Sequence, residues 1–163
     1  PLILKKDPNS SGTEADISEQ TTMMLELRKD LESGAQMVNQ IEFIRSQLLQ
    51  LTSASTSLKS AADALDKKLI EIEDNLIQRR LTGQGQDAVR WPPKLLAKIS
   101  YLAGGLASGD FAPTKQQREV DALFKQQLTA LRQQLDAALN QDLMAHNKLL
   151  AASNIKSAIK LNP

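Results

Sequence analysis

From Ile17 to Leu51, apolar side chains recur at Ile17, Met24, Leu27, Leu31, Val38, Ile41, Ile44, Leu48 and Leu51. Every step is three, four or seven residues. A chain wound at 3.6 residues per turn puts all of them on one side, so the spacing predicts a single amphipathic helix. Thr13 is its expected N-cap, and Glu14 and Asp16 suit the positive end of the helix dipole. At 1.5 Å per residue the helix is roughly 57 Å long. A stripe of that length needs long partners beside it, which points to a bundle. Gly34 lies on the stripe, where it weakens the helix by about 1 kcal/mol relative to alanine but permits close packing.

The partners follow along the chain. Thr52 to Ser57 is rich in Ser and Thr and reads as the first turn. Leu58, Ala62, Leu65, Leu69, Ile72 and Leu76 then alternate as a heptad, predicting a second helix that ends near Arg80-Leu81. A short connection between long amphipathic helices implies antiparallel neighbours. Thr82-Gly83-Gln84-Gly85-Gln86-Asp87 is a break, and Trp91-Pro92-Pro93 restarts the chain into a short third helix carrying Leu95, Leu96, Ile99, Leu102 and Leu106. After the loop Ser108 to Pro113, Thr114 and Gln117 form a capping-box pattern. The fourth helix has the stripe Val120, Leu123, Phe124, Leu128, Leu131, Leu135, Ala138, Leu139, Leu143, Leu149 and Leu150. Past Asn154, Ile155, Ile159 and Leu161 fit either a last helical turn or an extended tail on the bundle.

The expected fold is all-α: an antiparallel helical bundle of three long helices plus one short helix over residues 13–163. Aromatics are only 3% of the chain, which removes the residues strands prefer. Residues 1–12 stand apart. Leu2-Ile3-Leu4 reads as a strand running into the turn Lys5-Lys6-Asp7-Pro8, with Asn9 to Gly12 as linker. A lone strand has nothing here to pair with, so it is expected to be the end of a truncated upstream β domain. An opening Pro1 rather than Met fits a piece of a longer protein.

Twenty basic and nineteen acidic side chains leave a net charge of +1, without the basic surplus or stripe that phosphate backbones require, so no nucleic-acid partner is expected. No apolar run approaches eighteen residues, so no membrane insertion is expected. Without cysteine there are no disulfides or thiolate metal sites. The single histidine, His146, cannot supply a di-iron carboxylate bundle or a zinc-protease helix. It lies one turn from Asp142, where an ordinary surface pair is favoured over half a metal site. Glu71, Glu73 and Asp74 read as a solvated face of the second helix, Gly83-x-Gly85 as a linker, and Met23, Met24 and Met37 as core filling rather than an adaptable groove. Trp91 reads as a plug under its loop rather than a sugar platform. No catalytic residue, metal or cofactor is expected.

Several stretches resemble a known family. They are Leu76-Ile77-Gln78, Gly85 with Asp87, Pro93-Lys94-Leu95-Leu96-Ala97-Lys98-Ile99 leading to Leu102-Ala103-Gly104, Ser108-Gly109-Asp110-Phe111-Ala112-Pro113-Thr114, Glu119-Val120, Asp142-Leu143 and Asn147. Together they resemble the C-terminal helical region of large bacterial sortilin-like proteins, which carry bacterial neuraminidase (BNR, or Asp-box) repeats and are usually labelled glycosyl hydrolases. Gly105, Gly109 and His146 stand where that pattern has Val, Ala and Phe. The Asp-box pattern itself, Ser-x-Asp-x-Gly-x-Thr-Trp, does not occur in this chain. The resemblance implies an upstream β-propeller and a periplasmic, extracellular or envelope-associated parent, and transfers no catalytic residue.

The leading expectation is a non-catalytic C-terminal accessory domain that packs against upstream domains of the same protein or forms a homo-oligomer. Its expected interaction surface is Trp91, Pro92, Pro93, Tyr101, Asp110 and Phe111, on the reasoning that the loops flanking the short helix meet near one end of the bundle. The alternatives are a contribution of carboxylates (Asp87, Asp110, Glu119) to a glycosidase site completed by the propeller, and a free-standing coiled-coil adaptor. The long stripes fit closure within one chain or between two.

Overall fold

The computed structural model describes residues 5–51, 56–83, 85–155 and 158–161. The fold is an all-α helical bundle. Helix α1 (Glu14–Leu51) runs its full expected length, and α2 (Thr56–Leu76) returns beside it. A single turn, α3 (Asp87–Arg90), precedes α4 (Leu95–Leu106), which continues the descent along the upper part of α1. Helix α5 (Lys115–Ala137), a π-helical stretch (Ala138–Leu143) and α6 (Met144–Ala152) then form one continuous rod of 23, 6 and 9 residues. That rod equals the 38 residues of α1. Two full-length helices thus run parallel, and α2 with α4 fills the antiparallel place between them.

The caps match the sequence reading. Thr13 and Asp16 bond reciprocally, with Thr13 N–H donating to Asp16 Oδ2 at 2.9 Å and Asp16 N–H to Thr13 Oγ1 at 3.1 Å. Thr114 and Gln117 do the same at the start of α5, at 2.8 and 3.2 Å. Each pair satisfies two amides that a helix start otherwise leaves open. Helix α2 stops at Leu76, short of Arg80. Beyond it the Gln78 amide donates to the Pro92 carbonyl and Asp87 Oδ2 accepts from the Thr82 and Gly83 amides, so this segment bonds to the following loop. Pro92 and Pro93 lie before α4 rather than in its first turn, and Lys94 is the extended N-cap.

The predicted stripes on α1 and α2 form the core: Leu27, Ile41, Ile44, Leu48, Leu65, Leu69 and Leu76 are fully buried, and Met37 joins them. Met23 is buried and Met24 packs against the core, as expected of filling residues. Gly34 is where α4 comes closest, since a Cβ there would run into the Leu96 side chain. The fourth stripe departs in two places. Val120 and Leu123 are exposed, and Leu149 faces out while Leu150 is buried. A π-turn adds one residue to the winding, so the seam that passes through Leu128 and Leu135 continues at Leu143 and Leu150 instead of Asp142 and Leu149. The rod leaves α1 at this point: α5 packs on α1, while the π-helical stretch and α6 pack on α2.

The expected strand Leu2-Ile3-Leu4 lies outside the described residues, as do residues 52–55 of the first turn. The turn after the strand forms around Pro8 and Asn9, with the Ser10 amide donating to the Asp7 carbonyl at 3.1 Å. The segment expected as a linker docks on the bundle: Gly12 is buried, and any side chain there would strike the Asp110 carbonyl. Residues 158–161 are not helical, and Ile159 is 4% exposed. The open choice at the C-terminus resolves as an extended tail on the bundle.

One polar group crosses the core. Arg45 on α1 donates to Asp66 Oδ1 and Glu73 Oε2, both at 2.7 Å, and Arg79 reaches Glu73 at 3.4 Å. Glu73, expected on a solvated face, is 2% exposed. Burial raises its pKa against the pull of Arg79 and Arg45. Replacing Arg45 with Met leaves this carboxylate only the longer Arg79 contact, and we expect a loss of about 2 kcal/mol. Arg45→Met combined with Glu73→Leu should recover most of it, as read from urea-denaturation midpoints.

Candidate functional site

Helix α4 buries Leu95, Ile99, Leu102 and Leu106 against its neighbours. Its other side carries Ala97 and Tyr101, and Tyr101 is 86% exposed. Across from it, α5 presents Val120 and Phe124. Between the two helices lies an apolar groove of about 610 Å³, lined chiefly by Pro93, Ala97, Tyr101, Leu102, Val120 and Phe124. It exists because α4 has only twelve residues and carries Gly104 and Gly105 in its last turn, which offer no side chain to cover the opening turns of α5. Polar character is confined to Lys98 and Gln117 at its rim.

The six residues expected to form one surface divide into three places. Pro93 and Tyr101 line the groove. Trp91 is half-buried in the loop before α4, with the Arg80 guanidinium 4.7 Å from its ring centroid, and Pro92 accepts from Gln78. Asp110 and Phe111 lie beyond the far end of α4, roughly 18 Å away along the helix axis. The expectation that the two flanking loops meet at one end is therefore corrected, because a helix keeps its ends apart. Val120, Phe124 and Ala97 were not singled out by sequence. Their signal was the mismatch between a short, glycine-ended α4 and the long stripe opposite.

The three candidate carboxylates do not converge either. Asp87 Oδ2 accepts from the Thr82 amide at 2.6 Å, the Thr82 hydroxyl at 3.0 Å and the Gly83 amide at 2.9 Å, which closes the loop after α2. Gly83 and Gly85 have φ of 73° and 63°, so this loop uses a backbone that glycine adopts readily. Asp110 is exposed at the opposite end of α4, with its carbonyl beside Gly12. Glu119 lies within 3.6 Å of Lys115 on the surface of α5. Among the described residues no group of three or more His, Asp or Glu side chains is placed to hold a metal ion.

His146 is not a surface residue. It is 2% exposed, and neither ring nitrogen has a hydrogen-bond partner. Asp142, one turn earlier, holds Lys68 at 2.7 Å instead. His146 lies on the seam between Leu143 and Leu150, three residues after the one and four before the other. Burial alone pushes its pKa below the ordinary histidine value.

Comparison of the chain with family models, curated proteins and solved structures finds no match.

A depressed histidine pKa has a definite sign. The unfolded chain takes up a proton near pH 6.5 that the folded chain resists, so the neutral imidazole's contribution is complete above that value and is lost as pH falls. Thermal melts should show stability declining from pH 7 to pH 5, and His146→Leu should flatten that decline.

Proposed function

We propose that this chain is a non-catalytic helical docking module whose contact surface is the groove between α4 and α5. The observation that carries the reading is Tyr101: a large ring left 86% in water beside a continuous apolar lining. A side chain of this kind contributes most to association when a partner covers it, and aromatic anchors in such grooves dominate interface energies. Leu123 and Phe111, both more than one third exposed, extend the apolar area along α5 and past the end of α4.

The partner that fits the family resemblance is an upstream domain of the same polypeptide, in an exported BNR-repeat, sortilin-like parent with a glycosyl hydrolase label. In that setting the bundle acts as an accessory element, and any hydrolytic chemistry belongs to the propeller. The loop-closing bonds of Asp87, and the separation of Asp110 from Asp87, favour this over a glycosidase site shared with the propeller.

Tyr101→Lys with Val120→Lys tests the reading. Both positions are exposed, so the melting temperature should stay within a few degrees of wild type. Association with the upstream region, followed by calorimetry or by protease protection within one chain, should weaken about thirtyfold or more, as for removal of an interface hot spot. Undiminished association would rule the groove out.

A further inference from the structure

Where the rod turns away from α1, the space left beside α1 is filled by the chain's own tail. The tail is gripped almost entirely through its main chain. On the α6 side, Asn147 Nδ2 donates to the Ile159 carbonyl at 3.1 Å, and Asn147 Oδ1 accepts from the Ile159 amide at 2.8 Å. On the α1 side, Gln47 Nε2 donates to the Lys160 carbonyl at 3.0 Å, and Gln47 Oε1 accepts from the Lys160 amide at 2.9 Å. Gln40, two turns before Gln47, donates to the Leu161 carbonyl at 3.3 Å. Successive residues of an extended chain present their polar groups to opposite sides, and Ile159 and Lys160 each meet a carboxamide on their own side. The chain bends at Leu161, so that its carbonyl also faces α1.

A carboxamide offers a donor and an acceptor side by side, as a neighbouring β-strand would. Gln47 is also pre-set for this role, because its Nε2 donates to the Phe43 carbonyl of its own helix at 3.2 Å. Side-chain selection rests on one position, since Ile159 is 4% exposed while Ala158, Lys160 and Leu161 face water. Asn154, just past α6, has φ of 59°, the left-handed cap conformation that asparagine adopts more readily than other non-glycine residues. The connection to the tail therefore begins at a helix cap, which the Ile155 amide closes by donating to the Leu150 carbonyl at 3.0 Å.

We infer that the cleft between α1 and α6 is a binding site for an extended peptide with one buried branched aliphatic residue, and that residues 158–161 occupy it in cis. The ligand is recognised as the tail is: two main-chain carboxamide clamps, at Asn147 and Gln47, and an aliphatic anchor between them. A segment of that chemistry supplied in trans competes with the tail and displaces it. This site is separate from the groove between α4 and α5 and does not depend on that proposal.

The test uses the full chain with Ile159→Asp, which removes the anchor and vacates the cleft, and a fluorescently labelled synthetic peptide spanning residues 155–163. Polarisation should show saturable binding to this variant. Wild type should bind at least tenfold more weakly, because its tethered tail competes at an effective concentration of about a millimolar. A peptide carrying Asp in place of Ile159 should not bind, and adding Asn147→Leu or Gln47→Leu to the variant should abolish binding. Absence of saturable binding to a variant that retains cooperative melting would overturn the inference, as would binding indifferent to Asn147 and Gln47.

Should Ile159→Asp fail to fold, amide hydrogen exchange of the wild-type chain decides. The Ile159 and Lys160 amides should exchange more slowly than in the free peptide. Asn147→Leu should release the first and Gln47→Leu the second. Unprotected amides in wild type would equally overturn the site.

Discussion

One edge of α1 determines where the other elements sit. Glu19, Glu26, Ser33, Gln40 and Gln47 are seven residues apart and so lie along one side of the helix. The first three meet Arg118, Lys125 and Arg132 of α5, each 99 residues further along the chain. That constant offset means the two helices run parallel and in register. The last two meet the tail. A helix occupies the first half of the edge and an extended segment the second. Individually the exposed ion pairs contribute about 0–1 kcal/mol. Their shared spacing sets register, while burial of the adjoining apolar seams supplies most of the stability.

Buried polar groups add specificity to this arrangement. Asp66 and Glu73 are also seven apart, so a single Arg45 can bridge both and align α1 with α2. Gln20, buried near the start of α1, donates its amide to the Leu106 and Gly109 carbonyls and fastens the end of α4. A slip of α1 along α2 or α4 would break these contacts and leave charges or carbonyls without partners in a poorly solvating interior. His146 is the contrasting case: a polar ring placed on the seam with nothing to bond.

The helices were legible in sequence because period and caps are local properties. The stripe of α1, the heptad of α2, the N-cap at Thr13 and the capping box at Thr114 needed no knowledge of neighbours. What escaped depends on how elements meet. Glu73 sits among charged residues on an outward-looking stretch, and only the approach of Arg45 turns it inward. Val120 and Leu123 belong to a perfect stripe, yet the partner opposite is too short to cover them. The surface drawn from Trp91 to Phe111 joined residues close in sequence but separated by a helix. The tail's anchors, Gln40, Gln47 and Asn147, look in sequence like any solvated amides, so their role emerges only with the cleft they face.

The π-turn at Ala138–Leu143 has a consequence for the lineage of this architecture. Such a stretch amounts to a single inserted amino acid, and excising one would return the rod to ordinary winding. Because the wide turn absorbs that one residue, Leu143, His146 and Leu150 would keep the buried seam; only regular winding with no residue removed would hand it to Asp142 and Leu149. One codon can therefore be gained or lost inside this rod without turning its second half over.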